Sequence, residues 1–113
     1  VAFHVEPRLM ECHFGAWEGR PWDDIHAETG DAMMGMIEAP ATFRPGGDGE
    51  TTFEVRDRAM AWLQDTRGRD ESVIAICHGG PIAAILGTIG GLDVERWPSS
   101  VPRPGAVLTL PPS

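Results

Sequence analysis

The chain has 113 residues and a formal net charge of −8, from 17 acidic residues against nine arginines and no lysine. This charge argues against nucleic acid or an anionic membrane as the main partner, although it leaves room for a local phosphate pocket. The length suits one domain at most, with no stretch of transmembrane length and no visible signal peptide, so we expect a cytoplasmic protein.

The order of predicted elements favours an α/β fold. Apolar runs predict strands, and segments that start at proline or a capping residue and stop at glycine predict helices. In chain order we expect a strand, a structured loop, three helices separated by turns, a second strand, an apolar helix, an irregular segment and a third strand, over residues 1–5, 8–19, 21–29, 32–38, 51–67, 73–77, 82–89, 92–104 and 106–110. This order predicts a layered, mixed but mostly parallel sheet flanked by helices.

The sequence after the second predicted strand suggests an anion site. The β-branched run 73–77 ends at His78-Gly79-Gly80, and Pro81 follows where a helix can begin. Ligands of open α/β sheets bind at the carboxyl ends of strands, and helix N-termini favour anions, phosphate above all. The alternative is an ordinary strand-to-helix turn in which His78 is only a polar loop residue.

Glu11 is a candidate general acid. It lies in a segment with neither helical nor strand periodicity, between Met10 and the aromatic residues Phe14 and Trp17. Because apolar surroundings disfavour an ionised carboxyl group, such a glutamate can retain a proton for catalysis. The simpler alternative is that the two rings fill the core while Glu11 is solvated.

Other polar residues carry weaker signals. The glycine-rich turn 43–50 lacks the Lys-Ser/Thr ending of a nucleotide P-loop. On the helix 51–67, either Arg56 or Arg58 could reach inward to a carboxylate or extend to water. We predict no metal site, since no recognised ligand spacing links the histidines and cysteines, which are His4, His13, His26, His78, Cys12 and Cys77. Adjacent strand residues face opposite ways, so Cys77 should face the core if His78 faces the site.

Four stretches, in this order, together resemble the histidine phosphatase superfamily, also called phosphoglycerate mutase-like. The first resembles the family's proton-donor segment, and it reads Leu9-x-Glu11-x-x-Phe14-Gly15-x-Trp17-Glu18-Gly19. The next two resemble the family's Pro-Gly-Gly-Glu-Ser turn and its helix arginine, and they are Pro45-Gly46-Gly47 with Gly49-Glu50-Thr51, and Arg58. The last, residues 73–80, resembles the strand that leads to the second histidine. The resemblance covers nearly all of the chain.

The resemblance implies phosphate-ester hydrolysis through a phosphohistidine. Glu11 would protonate the leaving oxygen, and His78 with Gly79 and arginines would bind the phosphoryl group, with no metal or other cofactor. The substrate would be a small phosphorylated metabolite. The alternatives are a phosphoglycerate mutase, a non-catalytic phospho-ligand binding module or a truncated gene product.

The sequence departs from the family in one respect. No Arg-His-Gly nucleophile motif is present, because Phe3 precedes His4 and Val5 follows it. The chain therefore resembles the C-terminal part of such an enzyme, a partial domain over residues 1–113 that we expect to be inactive alone. The strand 73–77 would then have an unpaired edge, which predicts marginal stability, aggregation or a homodimer.

Overall fold

The computed structural model describes residues 2–111, whose regular structure is helical. Four α-helices are present: α1 (Trp22–Thr29), α2 (Gly35–Glu38), α3 (Thr52–Arg67) and α4 (Gly79–Ile89). Single turns and one longer segment adopt 3₁₀ geometry, namely Pro7–Leu9, Gly15–Trp17, Ala32–Met34, Pro45–Gly47 and Val94–Ser100. None of these helices is long and apolar enough to cross a membrane.

The predicted mixed, mostly parallel sheet is wrong for this structure. No strand occurs within residues 2–111, although position 1 of the first predicted strand lies outside that range. A strand exists only where its backbone pairs with another, and no described segment pairs with 73–77 or 106–110. Several of their apolar side chains meet solvent instead, with exposed fractions of 96% at Ile74, 92% at Ile76 and 92% at Val107.

The helix predictions are largely confirmed because they depend on local capping. Thr51 caps α3 through its hydroxyl, which accepts from the Glu54 N–H, while the Glu54 carboxylate accepts from the Thr51 N–H. The helix ends at Gly68, as predicted. The predicted helix 32–38 is a 3₁₀ turn that continues into α2, and α4 begins at Gly79, two residues before the predicted start at Pro81.

The core lies between α3 and α4. Ala59 and Leu63 of α3 pack with Ile85 of α4, all of them buried. Trp97 packs directly against α4, because a Cβ at Gly87 would lie only 2.2 Å from the Trp97 ring. These contacts fix the orientation of α4, and therefore the position of the turn at its N-terminus.

The loop that carries Glu11 packs against the glycine-rich turn Pro45–Gly47. Gly46 has a φ of 67°, and a Cβ there would lie 2.4 Å from the Ala16 nitrogen. The Ala16 N–H also donates to Asp48 Oδ1 at 2.9 Å. Two stretches some thirty residues apart in sequence therefore meet backbone to backbone, and a side chain at position 46 would separate them.

Candidate active site

Glu11 is held by the backbone and is not a solvated side chain. The buried side chains of Leu9 and Cys12 anchor the chain on either side of it. Its carboxylate accepts the Cys12 N–H at Oε1, 2.8 Å away, and the Gly80 N–H at Oε2, 3.2 Å away. The second bond joins the loop to the first turn of α4, where unpaired N–H groups favour an anionic partner.

Gly80 makes room for the Glu11 carboxylate. A Cβ at position 80 would lie 2.0 Å from Glu11 Oε1, closer than non-bonded atoms can approach. The sequence predicts an anion site at this turn. In the structure, the space that Gly80 leaves is taken by the candidate proton donor.

His78 immediately precedes α4 and is exposed to solvent. Its neighbour Cys77 is half-buried, and its thiol lies 3.4 Å from the Leu9 carbonyl oxygen as a hydrogen-bond donor. The two side chains therefore face different surroundings, although residues 73–77 do not form the strand on which the alternation argument depends. Burial raises the pKa of the Cys77 thiol and raises that of Cys12 to about 12, so neither thiol is a ready nucleophile at neutral pH.

The structure brings Glu11 and His78 to one cavity although 67 positions separate them in sequence. This cavity has a volume of about 450 Å³, and its polar lining consists of Glu11, His13, Glu18 and His78. A second cavity of about 290 Å³ shares Glu11 and is lined on its other side by Gly79 and Gly80. The three predicted site residues thus surround the N-terminus of α4.

Two of the lining side chains, Glu18 and His13, were not predicted from the sequence to belong to the anion site. Glu18 accepts the Phe14 N–H at 2.7 Å, and His13 Nδ1 accepts the Gly15 N–H at 3.3 Å. That bond leaves the His13 proton on Nε2, so the ring can still donate. Glu18 belongs to the Trp-Glu-Gly stretch, which was a signal for family membership but not for a position in the cavity.

The electrostatic balance of the larger cavity is unusual for a phosphate site. Two carboxylates face two imidazoles there, and no arginine lines either cavity within residues 2–111. Arg58, the helix arginine, pairs with Glu50 at 2.8 Å, which confirms that one of the two candidate arginines reaches inward. Arg56 instead pairs with its neighbour Asp57 and lies over the Phe53 ring. Histidine and helix N–H groups are therefore the anion-binding groups available here.

The described part of the chain contains no cluster of three or more His, Cys, Asp or Glu side chains that could hold a metal ion. Proton transfer and oxyanion binding are chemistry that the side chains in this cavity can supply. Glu11 can give or take a proton, and His78 can donate to an oxyanion beside the turn.

Comparison with known proteins defines the class. Residues 1–110 match the Histidine phosphatase superfamily (branch 1), and the chain belongs to that family. A glucosyl-3-phosphoglycerate phosphatase of Mycolicibacterium vanbaalenii is 30% identical over 103 residues, covering 83% of this chain and 45% of that protein. The enzyme of the same name from Mycobacterium tuberculosis (strain ATCC 25618 / H37Rv) is 33% identical over 108 residues, covering 88% and 48%.

More distant relatives agree with this assignment. A metal-independent phosphoserine phosphatase of Arabidopsis thaliana is 28% identical over 81 residues, covering 70% of this chain and 34% of that protein. The solved structure of Mycobacterial hydrolase 2 superposes with a TM-score of 0.72 at 28% identity, covering 88% of this chain and 46% of that one. The chain spans less than half the length of each of these relatives.

Proposed function

We propose that this chain supplies the proton donor and the second histidine of a phosphomonoesterase that acts through a phosphohistidine. The observation that carries the proposal is the meeting of Glu11 and His78 at one cavity beside the N-terminus of α4. Membership of the histidine phosphatase family supports it. No position in the 113 residues matches the family's Arg-His-Gly nucleophile motif, so we assign the role of attacking histidine to none of them.

In the proposed reaction, the phosphoryl group lies between the His78 ring and the Gly79–Gly80 turn. The His78 ring and the Gly79 N–H offset the charge on its oxygens, because the Gly80 N–H already donates to Glu11. As the family's attacking histidine, which this chain does not supply, forms its bond to phosphorus, the bond to the ester oxygen breaks and that oxygen takes the proton of Glu11. Water then accepts the phosphoryl group from the phosphohistidine, and the names of the relatives favour this hydrolysis over the transfer made by a mutase.

The carboxyl group of Glu11 also favours a catalytic site over a site that only binds phosphate. A site that only retains phosphate gains nothing from a glutamate in its wall, because an ionised carboxylate repels the anion. The placement of Glu11 therefore favours a proton-transfer role over a non-catalytic phospho-ligand module. As substrate class we propose small phosphorylated sugar derivatives, with glucosyl-3-phosphoglycerate, the compound in the names of two relatives, as the first to test.

The test measures binding and phosphate release together on the purified 113-residue chain. We expect glucosyl-3-phosphoglycerate to bind by calorimetry without release of phosphate above background, because the nucleophile is absent. His78→Ala should weaken binding about tenfold, the value of one charge-assisted hydrogen bond. His26→Ala, on the exposed surface of α1, should leave binding unchanged.

Two results would count against the proposal. One is a wild-type chain that does not bind the ester. The other is robust turnover of this ester or of an aryl phosphate that His4→Ala abolishes while His78→Ala leaves it intact, because the catalytic histidine would then lie elsewhere.

A further inference from the structure

We propose that the ion pair of Glu50 and Arg58 is the positioning device for Glu11, and that it acts on the backbone of the loop and not on substrate. The inference rests on the proposed role of Glu11. It assigns a function to two residues that line neither cavity.

Arg58 uses its whole guanidinium group. Its Nε and Nη2 donate to the two carboxylate oxygens of Glu50, at 2.8 and 2.9 Å. Its Nη1 donates to the Arg8 carbonyl at 2.9 Å, and Nη2 also donates to the Glu11 carbonyl at 3.1 Å. Arg58 of α3 thus fixes the backbone at two positions, Arg8 and Glu11, through their carbonyl groups.

Glu50 holds the other side of the loop. Its Oε1 accepts the His13 N–H at 2.8 Å, and its own N–H donates to the His13 carbonyl at 2.8 Å. Together the pair fixes the backbone at positions 8, 11 and 13. Because the Glu11 side chain reaches Gly80 only from this backbone position, the pair sets the distance between the carboxyl group and α4.

Burial makes this pair different from the other ion pairs of the described residues. The side chains of Arg58 and Glu50 are 19% and 26% exposed, and their contact is bidentate. Arg56, two residues away on the same helix, pairs only with the adjacent Asp57, which is 68% exposed. Arg56 is therefore the matched control for Arg58.

Two backbone amides allow the position of Glu11 to be read in the purified 113-residue chain by ¹H–¹⁵N NMR. Both the Cys12 and the Gly80 N–H groups donate to the Glu11 carboxylate, so both signals should shift as Glu11 titrates with pH. Glu11→Gln should remove both pH responses, which assigns them. The bond to Cys12 lies within the loop, whereas the bond to Gly80 spans the loop and α4.

Arg58→Met should therefore abolish the pH response of Gly80 while that of Cys12 persists, and Arg56→Met should preserve both. Glu50→Gln should weaken the Gly80 response selectively. Arg58→Lys should do so as well, because an ammonium group cannot reproduce the four bonds. These two milder variants carry the test if Arg58→Met does not fold.

The inference would be overturned if the Gly80 amide signal shifts with pH as in the wild-type chain in both Arg58→Lys and Glu50→Gln. It would also be overturned if every folded variant loses the pH response of Gly80 and of Cys12 equally. The readout involves no phosphate ester. Failure here is therefore distinct from failure of the proposed function, which would appear as absent ester binding in the wild-type chain.

Discussion

Glu50 carries its charge in a half-buried position between a helix and a loop. The hydrogen bonds from Arg58 are the main reason that its pKa lies below the usual value for glutamate, and the His13 N–H lowers the pKa further against the opposing effect of burial. A carboxyl group whose folded pKa is depressed stabilises the fold at pH values above its unfolded pKa. That contribution is lost as the pH falls through the folded pKa.

Glu50→Gln should lower the free energy of unfolding near pH 7 by about 1–3 kcal/mol, since it removes charged hydrogen bonds from Arg58. It should also flatten the decline of stability below about pH 4.5, where an unperturbed glutamate takes up its proton. Urea unfolding at a series of pH values measures both effects. Glu71→Gln, which alters a surface residue 3.8 Å from Arg69, is the control.

If the free energy of unfolding falls as steeply below about pH 4.5 in Glu50→Gln as in the wild-type chain, ionisation of Glu50 does not stabilise the fold.

Single residues of the site were predicted from sequence where a motif carried them. Glu11 and His78 were proposed this way, and Arg58 was one of two candidates for an inward-facing arginine. The contact between Gly80 and Glu11 was not predicted, because a glycine in a sequence shows that a side chain is missing but not which group occupies the space. His13 and Glu18 were missed for a related reason, since their positions depend on how the loop folds.

At the scale of elements, helices were predicted better than strands. The capping box of Thr51 and Glu54 and the stop at Gly68 are local signals, and α3 follows them closely. The runs 73–77 and 106–110 have the β-branched, apolar character of strands but no paired neighbour within residues 2–111. Strand propensity is a statement about packing against a partner, which a local pattern does not supply.

The same segments predict self-association. The side chains of Ile74 and Ile76 are almost wholly exposed. An extended segment with exposed apolar side chains and unpaired backbone N–H and C=O groups is a template for pairing with another chain. We expect the purified 113-residue chain to form dimers or larger species that grow with concentration in sedimentation velocity. Ile74→Lys with Ile76→Lys should shift the chain toward monomer with little change in unfolding free energy, within about 0.5 kcal/mol.

Thr88→Lys, at an exposed position of α4, is the matched control and should leave association unchanged. A wild-type chain that stays monomeric at every concentration would show that residues 73–77 and 106–110 do not drive self-association.

At the scale of the whole molecule, the site is assembled from three separated parts of the chain. The loop around Glu11 provides the carboxyl group, α3 with Glu50 provides the ion pair, and the turn before α4 provides His78. Packing of α3 on α4 holds these parts in register. Because these parts assemble into one site, the order of the four motifs indicated the family although each motif alone was weak evidence.

The central claim, that Glu11 and His78 serve one phosphate, is tested most directly by titrating the purified 113-residue chain with orthophosphate and following ¹H–¹⁵N NMR. We expect shifts confined to the neighbourhood of His78, Gly79, Gly80 and Glu11. His78→Ala should weaken the binding. Glu11→Gln should strengthen it about fivefold, because two unit charges about 4 Å apart in water repel by about 1 kcal/mol. Phosphate shifts on another face of the molecule, or binding that neither substitution alters, would contradict the claim.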